Sequence, residues 1–386
     1  MTDSLKHTPL HRFHVDHGAS MIEYAGWEMP IRYSSVQGEH LKTRSGGGVF
    51  DVSHMGRFKV RGLHARRLLD RLTSRRIGAM QPGMCRYALV CNERGGVKDD
   101  VIVYRLDDDE FMVVVNAANR EKLWTHFNET KAAGELRAEL KDDTEATAMV
   151  AIQGPKVMGM ISAFSKEIPS LKRYRFTQKN LMVVKLLVSR TGYTGEDGVE
   201  VILPANSVGM VMKLMMSTAD PKDPDAPIGP AGLGARDSLR LEAGMPLYGH
   251  ELGEDINALC CGVDFAINLD KGEQDNEDMF IGQEALLKTR DEGGPAQKII
   301  GLQLEGKRTP RQGMSVLKDG VEIGKVTSGC LSPTLEKPIA MALVETGHAA
   351  EDGSLQIELG KSHAEATVVP LPFYKAPKPE PAASAS

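Results

Sequence analysis

Cysteine is scarce in this 386-residue chain: Cys85, Cys91, Cys260, Cys261 and Cys330, with no C-x-x-C spacing among them. An odd number without paired spacings argues against a disulfide framework or a Cys-built zinc site. The thiols are therefore expected to be free and buried, and no metal site is expected. No apolar run approaches the roughly 18 residues that a helix needs to span a bilayer. An excess of one charge sign is missing too: the net charge is −5 and the isoelectric point about 6.2, so nothing points to nucleic acid. The opening residues, MTDSLKHTPL, hold neither an apolar secretory core nor an Arg- and Ser-rich amphipathic pattern, so the expectation is a cytoplasmic protein without membrane attachment. G-x-G-x-x-G, G-x-x-x-x-G-K-[ST], G-x-S-x-G and H-E-x-x-H are all absent. The common nucleotide cradles, the nucleophile elbow and the zincin helix go with them.

What is present is an ordinary globular composition, 41% hydrophobic and 26% charged, at a length suited to two or three domains. The first 55 residues read as irregular apart from a helix near 36–43. Apolar periodicity then predicts a strand at 58–60, a helix at 63–72, and strands at 86–91, 97–104 and 111–115. A helix follows at 118–131. A second α+β stretch has strand-like runs at 148–153, 181–189 and 199–203, a Met-rich helix at 208–216 whose methionines read as core filler, and a helix at 235–243. From 298 onward short alternating segments (299–304, 314–317, 322–326, 339–344, 355–359, 364–369) predict a small all-β domain. Asp319-Gly320 is a type I′ hairpin signal within it. The charged stretch 270–278 opens a predicted linker, 271–296, and the tail 376–386 is low-complexity and expected to be disordered.

Four polar, Gly-rich segments exceed what packing demands. Asp51-Val52-Ser53-His54-Met55-Gly56 reads either as a capped turn or as part of a site. In Gly95-Gly96-Val97-Lys98-Asp99-Asp100 two carboxylates open an apolar strand, and alternation puts them on opposite faces: Asp99 with Val101 and Val103, Asp100 with Ile102 and Tyr104. Asp99, beside Lys98, reads as solvated, while Asp100 on a cavity would suit work on the proton of a reacting amine. The segment Arg190 to Glu200 (RTGYTGEDGVE) has glycines that let a flat ligand approach, and a buried Glu200 would need an N–H-bearing partner. Arg236, near a helix start after GPAGLGA, suits a carboxylate or carbonyl oxygen, or else a structural ion pair with Asp237 or Glu200.

Taken in order, AGWEMP (25–30), FDVSHMG (50–56), CNERGGVKDDVIVY (91–104), VVNAAN (114–119), IQGP (152–155), SRTGYTGEDGVE (189–200), GLGARDSLRLEAGMPLYG (232–249) and TSGCLSPTL (327–335) resemble the glycine cleavage T-protein family over nearly the whole chain. The resemblance implies an α+β fold arranged as a three-domain cloverleaf. Its folate-binding region would span 1–270, with an inserted α+β subdomain at about 57–142, and the C-terminal β domain would span 297–375. It implies an aminomethyltransferase that takes the methylene carbon from the aminomethyl-lipoyl arm of an H-protein partner to tetrahydrofolate as co-substrate, with no metal. Carried over by position, Asp100 looks like the catalytic aspartate and Glu200 like the carboxylate that reads the pterin edge. Arg236, Tyr87, Tyr104, Asn116, Tyr193 and Met55 match positions around the folate. Two departures stand out: INALCCGV (256–263), followed by Phe265, where the family reads differently, and Lys375 where an arginine is usual. A folate-dependent demethylase on the same scaffold, or a non-catalytic folate-binding protein, is the alternative that these departures keep open.

Overall fold

Five antiparallel strands, in the order Cys85–Cys91, Val97–Asp107, Glu110–Val115, Gly56–Arg61 and Glu139–Asp142, make the first sheet. The structure is a computed structural model, and it describes residues 4–181, 183–216, 226–273, 277–350, 353–360 and 362–377. Strand alternation gives this sheet two different faces. Phe58, Val60, Val101, Val103, Phe111 and Val113 lie under helices Ala65–Leu72 and Arg120–Ala133, which contribute Leu68, Leu69, Leu72, Leu123 and Phe127. Each such fully buried side chain contributes roughly 1.5–3 kcal/mol. Ile102, Tyr104, Met112 and Val114 face the other way, onto a second sheet.

That second sheet runs Phe176–Leu181, Val184–Ser189, Gly198–Pro204, Thr147–Gln153, Gly48–Asp51, Gly229–Pro230, with only the last pair parallel. Phe50, Met149, Ala151, Leu187 and Ile202 meet the first sheet. Val49, Val150, Val188 and Val201 pack on the opposite side with Val157, Val208 and Met212 from the covering helices. The strand predicted at 181–189 is Val184–Ser189, and it pairs with a strand the sequence did not reveal, Phe176–Leu181, because the polar run Thr177-Gln178-Lys179-Asn180 gives that strand no apolar stretch. Of the Met-rich helix Val208–Met216, Met212 is buried as expected, but Met210 is 47% exposed and is not core filler.

The first 55 residues are not irregular. Lys6–His7, Trp27–Arg32 and Ser20–Tyr24 form a three-stranded sheet, His11–Asp16 is a short helix, and Gly48–Asp51 is a strand of the second sheet. Helix Val36–Ser45 begins at Ser35, whose hydroxyl accepts the Gly38 N–H at 3.0 Å. The expected linker is no plain connector either: within it Gln283–Asp291 is helical, with Phe280 and Leu286 buried against Leu89, Cys91 and Val97.

Six strands, in the order Gln297–Leu304, Pro338–Glu345, Val321–Leu331, Ser315–Lys318, Ser354–Glu358 and His363–Val369, close into the C-terminal barrel. Asp319 and Gly320 have φ of 51° and 81°, the two positive values that a type I′ turn requires. Helix Leu233–Glu242 joins barrel to sheets: Leu241 packs with Ile299, Ile339 and Met341, and the Glu242 carboxylate collects His40, Arg44, Ser332 and Thr334. Residues 378–386 of the tail expected to be disordered lie outside the described residues. Among the described residues no helix is long and apolar enough to cross a membrane.

Candidate functional site

Where the two sheets, the N-terminal hairpin and the start of helix Leu233–Glu242 converge, they leave a cleft of about 550 Å³. Asp100, Glu200, Arg236, Tyr87, Asn116, Tyr193 and Met55 all line it. Tyr104 does not. It shares the face of Asp100 but sits four residues further along the strand, fully buried between the sheets, with its hydroxyl 3.2 Å from Ser189 Oγ.

Asp99 and Asp100 point to opposite faces, as alternation requires, yet Asp99 is not solvated: it is fully buried. Its carboxylate accepts from Asn116 N at 3.0 Å, Asn116 Nδ2 at 2.8 Å and Asn119 Nδ2 at 2.6 Å, which organises the turn that follows strand Glu110–Val115. Asn116 Nδ2 also donates to Asp100 Oδ1 at 2.7 Å, so one amide bridges the two carboxyl groups. Burial raises both pKa values above the ordinary carboxylate range. Asp99 is pushed further by the charge of Asp100, while Tyr87 and Asn116 pull Asp100 partly back. The Tyr87 hydroxyl is buried beside Asp100 without a well-formed hydrogen bond, and its ring stacks on Phe265 at 5.9 Å.

On the facing wall, Glu200 is held from behind. Its Oε2 accepts from Thr191 Oγ1 at 2.5 Å, and Thr191 Oγ1 lies 2.7 Å from Ser189 Oγ, the atom that Tyr104 contacts. Tyr104 therefore reaches the site only as the far end of a hydroxyl chain behind Glu200. The segment from Arg190 to Glu200 bends this wall inward. Gly192 must lack a side chain because a Cβ there would fall 1.8 Å from Gln153 Oε1.

Arg236 makes neither of the ion pairs considered from the sequence. Asp237 pairs with Arg240 instead, at 2.8 Å, and no carboxylate oxygen lies within ion-pair distance of the Arg236 guanidinium among the described residues. The guanidinium rests over the Tyr193 ring at 4.9 Å, and its Nη1 is buried with no partner. Burial lowers its pKa, and the field of Glu200 offsets part of that. The Tyr193 hydroxyl is itself tied to the Pro246 carbonyl, so this ring serves as a fixed platform.

His54 was visible in the sequence only as part of a motif, and it belongs to this site. It lines the cleft, its Nδ1 is buried without a partner, and its ring meets Tyr24 edge-on at 5.6 Å. Burial lowers its pKa to about 4, against the pull of Asp51, so the imidazole is neutral near pH 7. Asp51 holds structure rather than lining the cleft: it accepts from Thr8 at 2.6 Å and Ser53 N at 2.8 Å and lies 2.8 Å from His14 Nε2. It thereby anchors the segment that brings Ile22 and Tyr24 to the cleft.

The two departures fall in different places. Cys260 and Cys261 are buried and burial pushes both thiols up, which leaves neither activated as a nucleophile, whereas Phe265, 63% exposed, stands at the mouth. Lys375 is exposed and does not line the cleft.

Residues 10–271 match the family described as the GCVT N-terminal domain, and residues 297–375 match the glycine cleavage T-protein C-terminal barrel domain. An aminomethyltransferase of Rubrobacter xylanophilus is 42% identical over 385 residues, covering 99% of this chain and 98% of its own. One from Symbiobacterium thermophilum is 40% identical over 382 residues, covering 98% and 99%. Among solved structures, the glycine cleavage system aminomethyltransferase T from Bartonella henselae superposes with a TM-score of 0.87 at 29% identity, over 97% of this chain and 99% of that one. Full-length similarity of this order leaves the demethylase and the non-catalytic scaffold without support, and the chain is an aminomethyltransferase of the glycine cleavage T-protein family.

Proposed function

We propose that the cleft binds tetrahydrofolate and that Asp100 handles the protons of the transfer. The reaction moves the methylene carbon of S-aminomethyl-dihydrolipoyl H-protein to tetrahydrofolate and yields 5,10-methylenetetrahydrofolate, ammonia and dihydrolipoyl H-protein. The observation that carries this reading is a set of buried polar atoms left without partners around one cleft: Arg236 Nη1, His54 Nδ1 and the Tyr87 hydroxyl. Such groups are costly unless a ligand completes them. The donor set suits a flat heterocycle that carries both N–H donors and a carbonyl.

The folate nitrogens supply the nucleophile. Glu200, braced by Thr191, accepts ring N–H or amino protons at its carboxylate. Arg236 and His54 answer the carbonyl and ring acceptors of the same heterocycle, and Tyr87 and Tyr193 give it aromatic walls. Asp100, steadied by Asn116, accepts the proton of the attacking amine and returns it to the departing ammonia. None of these roles calls for a metal. The H-protein arm enters past Phe265, and the reaction runs in the cytoplasm.

Calorimetric titration with tetrahydrofolate tests this. Losing a charged hydrogen bond costs about 1.5–3 kcal/mol, so Glu200→Gln is expected to weaken binding roughly 10- to 100-fold. Tyr104→Phe, which removes only the far end of the chain, should stay within about threefold of wild type. Equal losses in the two variants would contradict the assignment of the walls.

A further inference from the structure

On the N-terminal sheet, three side chains that do not line the cleft converge. Parallel pairing of Lys6–His7 with Trp27–Arg32 sets His7 opposite Glu28, and the helix that starts at His11 delivers a second imidazole one turn later. His11 Nε2 lies 2.6 Å, and His7 Nε2 3.1 Å, from the same atom, Glu28 Oε2. The two rings stack with centroids 3.8 Å apart and planes 7° apart, and both Nε2 atoms approach the one carboxylate oxygen. The three donor atoms all lie within 4.8 Å of one another.

We propose that His7, His11 and Glu28 bind one divalent transition-metal ion of the zinc class. Two imidazole nitrogens and a carboxylate oxygen suit zinc, copper or nickel far better than magnesium or calcium, which prefer all-oxygen shells. Ligand distances of about 2 Å, with the ion in the plane of each ring, require the His7 ring to rotate out of its stack on His11, and that side chain is 53% exposed. Three protein ligands leave a fourth position to water. The ion would tie the first strand and first helix to strand Trp27–Arg32, whose neighbour Ser20–Tyr24 brings Ile22 and Tyr24 to the cleft. Its role is to clamp the N-terminal segment, apart from the transfer chemistry.

The test uses untagged full-length protein stripped with a chelator and titrated with Zn²⁺ by calorimetry, with Co²⁺ absorption as a second readout. One ion per chain is expected, with a tetrahedral Co²⁺ spectrum. Affinity should fall roughly tenfold or more in His11→Ala and in Glu28→Gln. The half-exposed His7→Ala keeps the test valid if either of those disturbs the metal-free fold. Zn²⁺ should raise the melting temperature of wild type and not of the variants, while stripped wild type keeps its transferase rate. Absence of Zn²⁺ uptake, or uptake unchanged in all three variants, would overturn the proposal.

Discussion

Asp100→Asn is expected to lower kcat for methylene transfer roughly 100- to 10,000-fold, the range of general acid–base catalysis, and to leave tetrahydrofolate affinity within about threefold. The amide fills the same space and still accepts the Asn116 N–H, so the wall keeps its shape while the proton carrier is lost. The pH profile carries a second signature. Burial raises Asp100, and Asp99 alongside is raised further, so the base form of the pair persists only above the ordinary carboxylate range. Wild-type activity should therefore fall on the acid side at a higher pH than an exposed aspartate would give, and the apparent value belongs to the coupled pair. In Asp100→Asn that acid limb should vanish from the residual rate. A variant with near-normal kcat, or one that lost folate binding in parallel with rate, would remove Asp100 from the chemistry.

Glu242→Ala is expected to destabilise the folded protein by roughly 3–5 kcal/mol, as breaking a buried charged cluster does. The carboxylate is fully buried and lies where three parts of the chain meet. Arg44 donates from Nη2 at 2.9 Å and Nε at 3.1 Å, His40 lies at 3.1 Å, and Ser332 and Thr334 reach across from the barrel. These partners hold its pKa at about 2 despite the desolvation that would raise it, below the 4.5 of a free glutamate. A depressed folded value means that the stabilisation is complete above pH 4.5 and is lost as pH falls toward 2. A shift of this size is worth about 3 kcal/mol. Urea unfolding at several pH values checks it: wild type should lose stability steadily between about pH 5 and pH 3, and the variant should show a flatter dependence. Parallel curves would mean that the cluster does not couple barrel to sheets.

The facing of Asp100 was legible from six residues, because in Asp99-Asp100-Val101-Ile102-Val103-Tyr104 the period of two assigns every side chain to one face of the sheet. The depth was not legible. Tyr104 shares that face, yet at about 3.3 Å per residue it lies some 13 Å along the strand, where the sheets have closed together. Asp51 read as a turn cap, and it does accept the Ser53 N–H, but its other partners, Thr8 and His14, come from some forty residues away, and only the fold brings them together. The N-terminal sheet stayed hidden because one of its strands is two residues long and another contains Pro30, so neither gives a periodic signal. Helix Gln283–Asp291 was masked by its charges, with Leu286 as its one fully buried apolar residue. The barrel was the easiest part: its strands are short apolar segments, Ser354–Glu358 and His363–Val369 alternate, and Asp319-Gly320 marks a turn by residue type alone.

The central claim is that this cleft joins tetrahydrofolate to an aminomethyl-loaded lipoyl arm. The most direct measurement is ammonia release from aminomethyl-loaded H-protein by the wild-type chain, in single turnover, with and without tetrahydrofolate. The expected result is fast release of ammonia that depends on tetrahydrofolate and is matched mole for mole by 5,10-methylenetetrahydrofolate. Tetrahydrofolate binding without any ammonia release from the loaded H-protein, with turnover only of small methyl donors, would contradict it.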